Sequence, residues 1–347
     1  MRVVVGIEGR LEIRDIPELG APTGSQILVE TVACGICGSD VHLMDHTEAY
    51  LGCARDSGST AMIFDPARGV MLGHCFVFRV LAAGPDAVGF APGDLGAGLG
   101  TVTGADGHTS VVGFSDTYPG GYAERMLLST PGLVARLPDG MDPLHAVFVE
   151  PLIVGEMSVR TAAIPDGAPA VVLGTGQVGL GIVAALRRHG RGPVVAAEPT
   201  ELRRAAALAA GADIVVDVHT RSWLDGLAES GATLPPTVFD TTGIAGMLAR
   251  LFTEVPRHSH IVEVSGQYDP DPIRTGLAVK KNLRLTFSAS ADPAALRTVL
   301  AALAAREVDV EPWITRRVTL DEVPAAFDDL RAPDKTIGIV VEPGKGR

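Results

Sequence analysis

An apolar run over residues 168–173, Ala-Pro-Ala-Val-Val-Leu, passes directly into Gly174-Thr175-Gly176-Gln177-Val178-Gly179. From there to His189 the apolar residues recur at helical spacing. A strand that feeds a helix through so tight a turn is half of a strand–helix–strand unit, and such units bury themselves in a parallel sheet. The helix has clear stop signals, with Arg187, Arg188 and His189 in its last turn and Gly190 behind them. The alternation then continues: strands at 194–197, 214–216, 237–239 and 261–264, and a helix at 201–210. This predicts an α/β chain built around a doubly wound parallel sheet.

The three glycines fit G-x-G-x-x-G in the context that gives the pattern meaning, after a strand and opening a helix. Gly174 permits the turn, Gly176 lets the backbone approach a pyrophosphate, and Gly179 lets helix and strand pack closely. The helix N-terminus, at Gln177 and Val178, offers free N–H groups to phosphate. Glu198 ends the next strand about 20 residues on, where an acidic group hydrogen-bonds an adenosine ribose diol. A carboxylate there repels a 2′-phosphate and favours NAD over NADP, whereas Arg203 and Arg204 lean the other way. The alternative is a glycine-rich turn of another α/β fold, with Glu198 a solvated loop residue.

The first 150 residues have a different character, rich in Gly and Pro, with short strands expected at 26–33 and 75–81 and a glycine-rich loop at 93–121. They carry Cys34-Gly35-Ile36-Cys37-Gly38-Ser39-Asp40-Val41-His42, then Gly73-His74, and Glu150-Pro151-Leu152 at their end. Thiolate, neutral imidazole and carboxylate are what a borderline cation such as zinc binds, and Cys37, His74 and Glu150 supply one of each. Asp40 suits the second imidazole nitrogen of His74. Ser39 can hydrogen-bond an alcohol oxygen held at the metal. His42 titrates near neutrality and can pass the proton to water. Cys34 reads as a small buried hydrophobe, since Cys34-x-x-Cys37 has no second cysteine pair and no redox context. His46 reads as a solvated loop histidine, and Cys53 has no assigned role.

Composition narrows the partners. A net charge of −12 argues against nucleic acid and anionic membrane. No apolar run approaches the 18 or so residues of a membrane span, and the N-terminus starts as a strand, without signal-peptide features. All four cysteines fall between Cys34 and Cys75, which suggests reduced thiols in a cytoplasm rather than a disulfide framework.

Taken together, the stretch Gly35 to His42, the Gly73-His74 pair, Glu150-Pro151-Leu152 and the glycine fingerprint resemble the zinc-containing medium-chain alcohol dehydrogenases, including sorbitol- and threonine-dehydrogenase-like members. The resemblance implies a GroES-like β-rich catalytic domain over 1–153 and 293–347, interrupted by a Rossmann NAD-binding domain over 154–292, with the active site in the cleft between. It implies Cys37, His74 and Glu150 as zinc ligands, with Ser39 and His42 the proton relay and Asp40 behind His74. It also implies Arg203 on the adenosine ribose, Thr242 and Ser265 in the nicotinamide-side loops, and Lys335 at a pyrophosphate. One catalytic zinc, a small alcohol or carbonyl substrate and a homo-oligomer (dimer or tetramer) follow from the same source, and Glu198 favours NAD over NADP as the nicotinamide cofactor.

Three departures stand out. Gly73-His74 continues with Cys75 where the family usually has Glu; Cys75 is either a further ligand or a buried bystander. The cysteines that hold a structural zinc after Gly93 in many relatives are missing, so packing must hold that region, with Tyr118 and Tyr122 as candidates. The Cys37–His74 separation is long, with the extra residues at 46–68, where Tyr50, Met62 and Phe64 form either an apolar wall by the substrate or a surface excursion. The reading is thus zinc-dependent oxidation of a secondary alcohol or polyol-like substrate by NAD. The rivals are a metal-free NAD(P)H-dependent ketone or enone reductase and a non-catalytic nucleotide-binding protein.

Overall fold

The computed structural model describes residues 1–288, 291–331 and 336–345. The chain divides into two compact units, one of 1–150, 292–306 and 310–347, the other of 151–291 and 307–309.

The first unit is β-rich. Its largest sheet runs Leu133–Arg136, Leu95–Leu99, Cys75–Ala83, Gln26–Ile36, Gly338–Val341, Ile314–Val318, and Arg125–Ser129 also pairs with Gln26–Ile36. The end of the chain therefore lies beside the cysteine motif, with Ile339 opposite Ile36 and Val341 opposite Cys34. On the other side Gly35 faces Cys75 and Cys34 faces Phe76. Phe76, Phe78, Tyr122 and Ile36 are at most 1% exposed, which anchors the sheet. Full burial of each such side chain contributes about 1.5–3 kcal/mol.

Two expectations for this unit are corrected. Residues 93–121 are not a plain loop; they carry the strands Leu95–Leu99, Thr101–Thr103 and Thr109–Val111. The glycines that hid the alternation mark close packing. A Cβ on Gly96 would lie 2.4 Å from the Phe78 ring, and one on Gly98, at φ +143°, 2.1 Å from the Leu133 carbonyl. The 46–68 segment likewise contains a helix, Thr47–Asp56, whose Tyr50, Leu51 and Ala54 share its buried face. Met62 is half-buried and Phe64 buried. The aromatics turn inward because they have aromatic partners there, as described below.

The second unit is a six-stranded sheet ordered Ile214–Val216, Val194–Ala197, Ala170–Leu173, Thr237–Asp240, His260–Glu263, Arg284–Phe287, with all neighbours parallel. This is the 3-2-1-4-5-6 order of a dinucleotide-binding fold, whose direction reverses between Ala170–Leu173 and Thr237–Asp240. Val171, Val195, Val238, Ile261, Trp223 and Phe252 form its core. Among the described residues, no helix is long and apolar enough to cross a membrane.

Candidate metal centre

The strand Gln26–Ile36 delivers the chain to Cys37, which caps the helix Gly38–Asp45 in an extended conformation (φ −95°, ψ 150°). Asp40, at the third helical position, turns back so that its Oδ2 accepts the Cys37 N–H at 3.2 Å. That reciprocal cap holds both side chains at the helix start. Gly73, at φ +97°, then makes a turn that only glycine fits, since a Cβ would sit 2.7 Å from the Tyr122 nitrogen. The turn presents His74, and the strand Cys75–Ala83 begins immediately after it. Glu150 sits in the first turn of the helix Val149–Ala162.

These elements bring one donor atom each from Cys37, His74, Cys75 and Glu150 within 4.8 Å of one another. Cys37, His74 and Cys75 are 6%, 4% and 1% exposed, so few waters compete for them. Ser39 Oγ lies 3.1 Å from His74 Nε2, and His74 Nδ1 lies 3.2 Å from Asp40 Oδ1. Asp40 is completely buried, and Tyr122 donates its hydroxyl to Asp40 Oδ2 at 2.6 Å. Cys75 Sγ also lies 3.3 Å from Glu150 Oε2.

The charges in this pocket are strongly coupled. A hydrogen bond from Cys75 holds the Cys37 thiol well below its usual range, against the effect of burial, with His74 assisting. Burial works to lower the His74 pKa, but the charge of Asp40 overrides it and raises it, with Cys37 adding to the effect. Donation to Cys37, burial and the charge of Glu150 push Cys75 up. Burial, then the charge of Cys37, lift Glu150 to about 7. Protons shared among buried sulfur, nitrogen and oxygen donors are what a divalent cation displaces. Asp40 Oδ1 and His74 Nδ1, both shielded from solvent, also lack a well-formed hydrogen bond. The donor set, two thiols, an imidazole and a carboxylate, fits zinc.

Other expected residues fall as follows. Ser39 and His42 are three apart on the helix Gly38–Asp45 and so share a face; the His42 ring meets His46 edge-on at 4.8 Å. Cys34 is fully buried outside the donor cluster, and burial, then the charge of Asp40, push its thiol up. Tyr50 stacks on Phe64 at 6.3 Å and on Phe114 at 6.0 Å, and Phe114 lies 4.9 Å from the His74 ring. The extra residues thus buttress the histidine through Phe114. A second group, Asp142, His145 and Glu311, also brings three donors together, but at the surface.

Sequence reasoning missed Tyr122 as a partner of Asp40 and Phe114 as a neighbour of His74. A signal for Tyr122 was present in Gly120-Gly121. A Cβ on Gly121 would lie 2.5 Å from Cys34 Sγ, and one on Gly120 2.2 Å from the Leu72 carbonyl. Gly121 N–H donates to the Gly73 carbonyl at 2.7 Å and Tyr122 N–H to that of Leu72 at 3.2 Å. Glycine approach and backbone bonds tie this segment to the His74 turn.

In the second unit Gly174 adopts φ +81°, and a Cβ on Gly179 would lie 2.1 Å from the Gly174 carbonyl oxygen. Gly176 caps the helix Gln177–Arg188, whose first N–H groups, from Gln177 and Val178 on, lack intrahelical acceptors. Glu198 is not a solvated loop residue. It is 2% exposed; Oε2 accepts from Thr175 N at 2.8 Å, and Oε1 from Thr200 N at 3.0 Å and Thr200 Oγ1 at 3.1 Å. A ribose diol would have to share or replace those bonds. The Arg203 carbonyl accepts from Thr175 Oγ1 at 3.2 Å. Arg204 is engaged with the Glu198 carbonyl at 3.0 Å and with Asp217 at 3.3 Å. Thr242 donates through Oγ1 to Asp240 at 2.7 Å, and Ser265 donates to Glu263. Lys335 lies outside the described residues.

Comparison with known proteins agrees with both units. Residues 23–139 match the alcohol dehydrogenase GroES-like domain and residues 178–305 the zinc-binding dehydrogenase family. The chain is 27% identical over 331 residues to an L-threonine 3-dehydrogenase of Yersinia enterocolitica, covering 91% of each. It is 26% identical over 330 residues to a 2-dehydro-3-deoxy-L-galactonate 5-dehydrogenase of Pseudoalteromonas atlantica, covering 93% of each. The crystal structure of 2R,3R-butanediol dehydrogenase from Bacillus subtilis shares the fold, with a TM-score of 0.80 at 23% identity over 99% of both chains. With a buried sulfur–nitrogen–oxygen donor set in a GroES-like unit and a 3-2-1-4-5-6 parallel sheet beside it in sequence, the chain belongs to the zinc-containing medium-chain alcohol dehydrogenases.

Proposed function

We propose that this protein catalyses the reversible oxidation of a secondary alcohol or polyol-like substrate to a ketone, with NAD as hydride acceptor. The observation that carries the reading is the cluster of buried Cys37, His74 and Cys75 with half-buried Glu150, and the Ser39 hydroxyl on the Nε2 side of His74. When bound, zinc supplies Lewis acidity that lowers the pKa of an alcohol hydroxyl, and NAD⁺ accepts hydride. Cys37, His74 and Glu150 are the expected zinc holders. Asp40, whose Oδ1 lies 3.2 Å from His74 Nδ1, is placed to orient the ring and leave Nε2 to the cluster. Ser39 accepts the substrate's hydroxyl proton and His42, one turn on, passes it to water.

On the cofactor side, Gly174, Gly176 and Gly179 admit the pyrophosphate to the N–H groups of Gln177 and Val178. Glu198 and Arg203 face the adenosine ribose; Thr242 and Ser265 lie on the loops expected at the nicotinamide. The buried carboxylate of Glu198 opposes a 2′-phosphate, which supports NAD over NADP. A homo-oligomer working in a reducing cytoplasm completes the proposal and accords with four free thiols.

The test is elemental analysis of purified protein followed by an NAD⁺ reduction screen over secondary alcohols and polyols. One catalytic zinc per chain and turnover on at least one such alcohol are expected, with Cys37→Ala inactive yet still binding NADH. Full zinc-dependent turnover by Cys37→Ala would sink the assignment. Undiminished activity after exhaustive chelation would point to the metal-free reductase. NADH binding without turnover would point to a retired scaffold.

A further inference from the structure

We propose that Cys75 is a working ligand of the cation, so that Cys37, His74 and Cys75 form a two-thiolate, one-imidazole set and Glu150 is the exchangeable fourth donor. The inference rests on reading this cluster as a metal site.

The usual objection to neighbouring ligands is that successive side chains of a strand point to opposite faces. It does not apply at this position. His74 precedes the strand, carried by the Gly73 turn at φ +97°, and Cys75 is the strand's first residue. The two side chains are therefore free of strand alternation, and both donor atoms fall inside the 4.8 Å cluster. Gly35, opposite Cys75 in the sheet, leaves room for it, since even an added Cβ there would stay 3.5 Å from that of Cys75.

The surroundings of the sulfur also differ from those of a bystander. Cys34, equally buried, lies outside the cluster and turns its thiol to a backbone carbonyl. Cys75, 1% exposed, turns its thiol to the Glu150 carboxylate at 3.3 Å, and Cys37 and His74 complete the group.

Donor chemistry then ranks the four. Thiolate and imidazole suit zinc better than carboxylate does, and two thiolates already balance a dication. Adding a Glu150 carboxylate leaves a net negative charge in a pocket that also holds the fully buried Asp40. Glu150 is therefore the donor that gives way, and its departure opens the fourth position that a catalytic zinc requires. The soft donor thus stands directly after His74, where the family usually has Glu, and Glu150 is the movable carboxylate.

The test uses full-length protein loaded with cobalt(II), read by the thiolate-to-cobalt charge-transfer band in the near ultraviolet. The wild type should bind one ion at this site, and Cys75→Ser and Cys37→Ser should each halve the band per bound ion. Glu150→Gln should leave it unchanged. A Cys75→Ser band equal to wild type, with Cys37→Ser abolishing it, overturns the inference while leaving the metal-site reading intact. Failure of the wild type to bind cobalt or zinc in the cluster overturns the metal-site reading itself. Should the Cys75 variant not fold or not bind, zinc X-ray absorption on the wild type decides. Two sulfurs at about 2.3 Å support the proposal and one sulfur refutes it.

Discussion

Tyr122→Phe removes one hydroxyl from the centre of the β-rich unit and leaves the ring where it is. The ring is fully buried and meets Phe327 edge-on at 6.2 Å, so packing is preserved. The hydroxyl donates to Asp40 Oδ2 at 2.6 Å and lies 3.3 Å from the Gly35 carbonyl. Asp40 is itself fully buried, and the same oxygen accepts the Cys37 N–H at 3.2 Å. Losing a bond to such a charged acceptor costs about 1.5–3 kcal/mol, or roughly a 10- to 140-fold change in the folding equilibrium. Asp40 Oδ1 also faces His74 Nδ1 at 3.2 Å, behind the cluster, so zinc affinity should fall about 10- to 100-fold as well. Urea denaturation of the metal-free protein reads the first effect, and competition with a chromophoric chelator reads the second. A stability change under about 0.5 kcal/mol together with unchanged zinc affinity would refute the reasoning that Tyr122 supports the site through Asp40.

Two more predictions follow from the dinucleotide-binding unit. Gly179→Ala places a methyl 2.1 Å from the Gly174 carbonyl oxygen and 3.0 Å from Thr241 Oγ1. The backbone must shift, at about 1–3 kcal/mol, and NADH binding should be lost in a fluorescence titration; unchanged Tm and affinity would show that the loop is not tight. His260 is held below its usual pKa by burial, then by Arg284. The unfolded chain takes up that proton first, so stability should fall as pH drops below about 6.5. His260→Gln, which keeps a partner for Thr286 Oγ1 (2.8 Å from His260 Nε2), should flatten that slope in urea titrations at successive pH values; an unchanged slope contradicts the assignment.

The legibility of the chain depended on how local each signal was. Gly174 to Gly179 could be read directly because turn, helix start and helix–strand contact all lie within a few residues of one another. The alternation of strands and helices predicted a parallel sheet, whereas the order of its strands came only with the structure. The glycines of 93–121 misled for the opposite reason. Gly96 and Gly98 look like loop residues until Phe78 and Leu133 are seen against them, and those contacts join segments that pair only across the sheet. The helix Thr47–Asp56 was legible in its spacing of Tyr50, Leu51 and Ala54, but the segment was weighed only as an apolar wall by the substrate or a surface excursion, with no helix assigned.

The sequence by itself determined which donors exist and what chemistry they favour: a thiolate, an imidazole, a carboxylate and a hydroxyl in motifs that match one family. The tertiary structure decided how they combine. Cys75 joins Cys37, His74 and Glu150 because the Gly73 turn frees His74 from strand alternation, and Tyr122 reaches Asp40 because glycines let two distant segments touch. Local motifs encode donor type and turn geometry, whereas the set of atoms around one point depends on chain segments that meet only after folding.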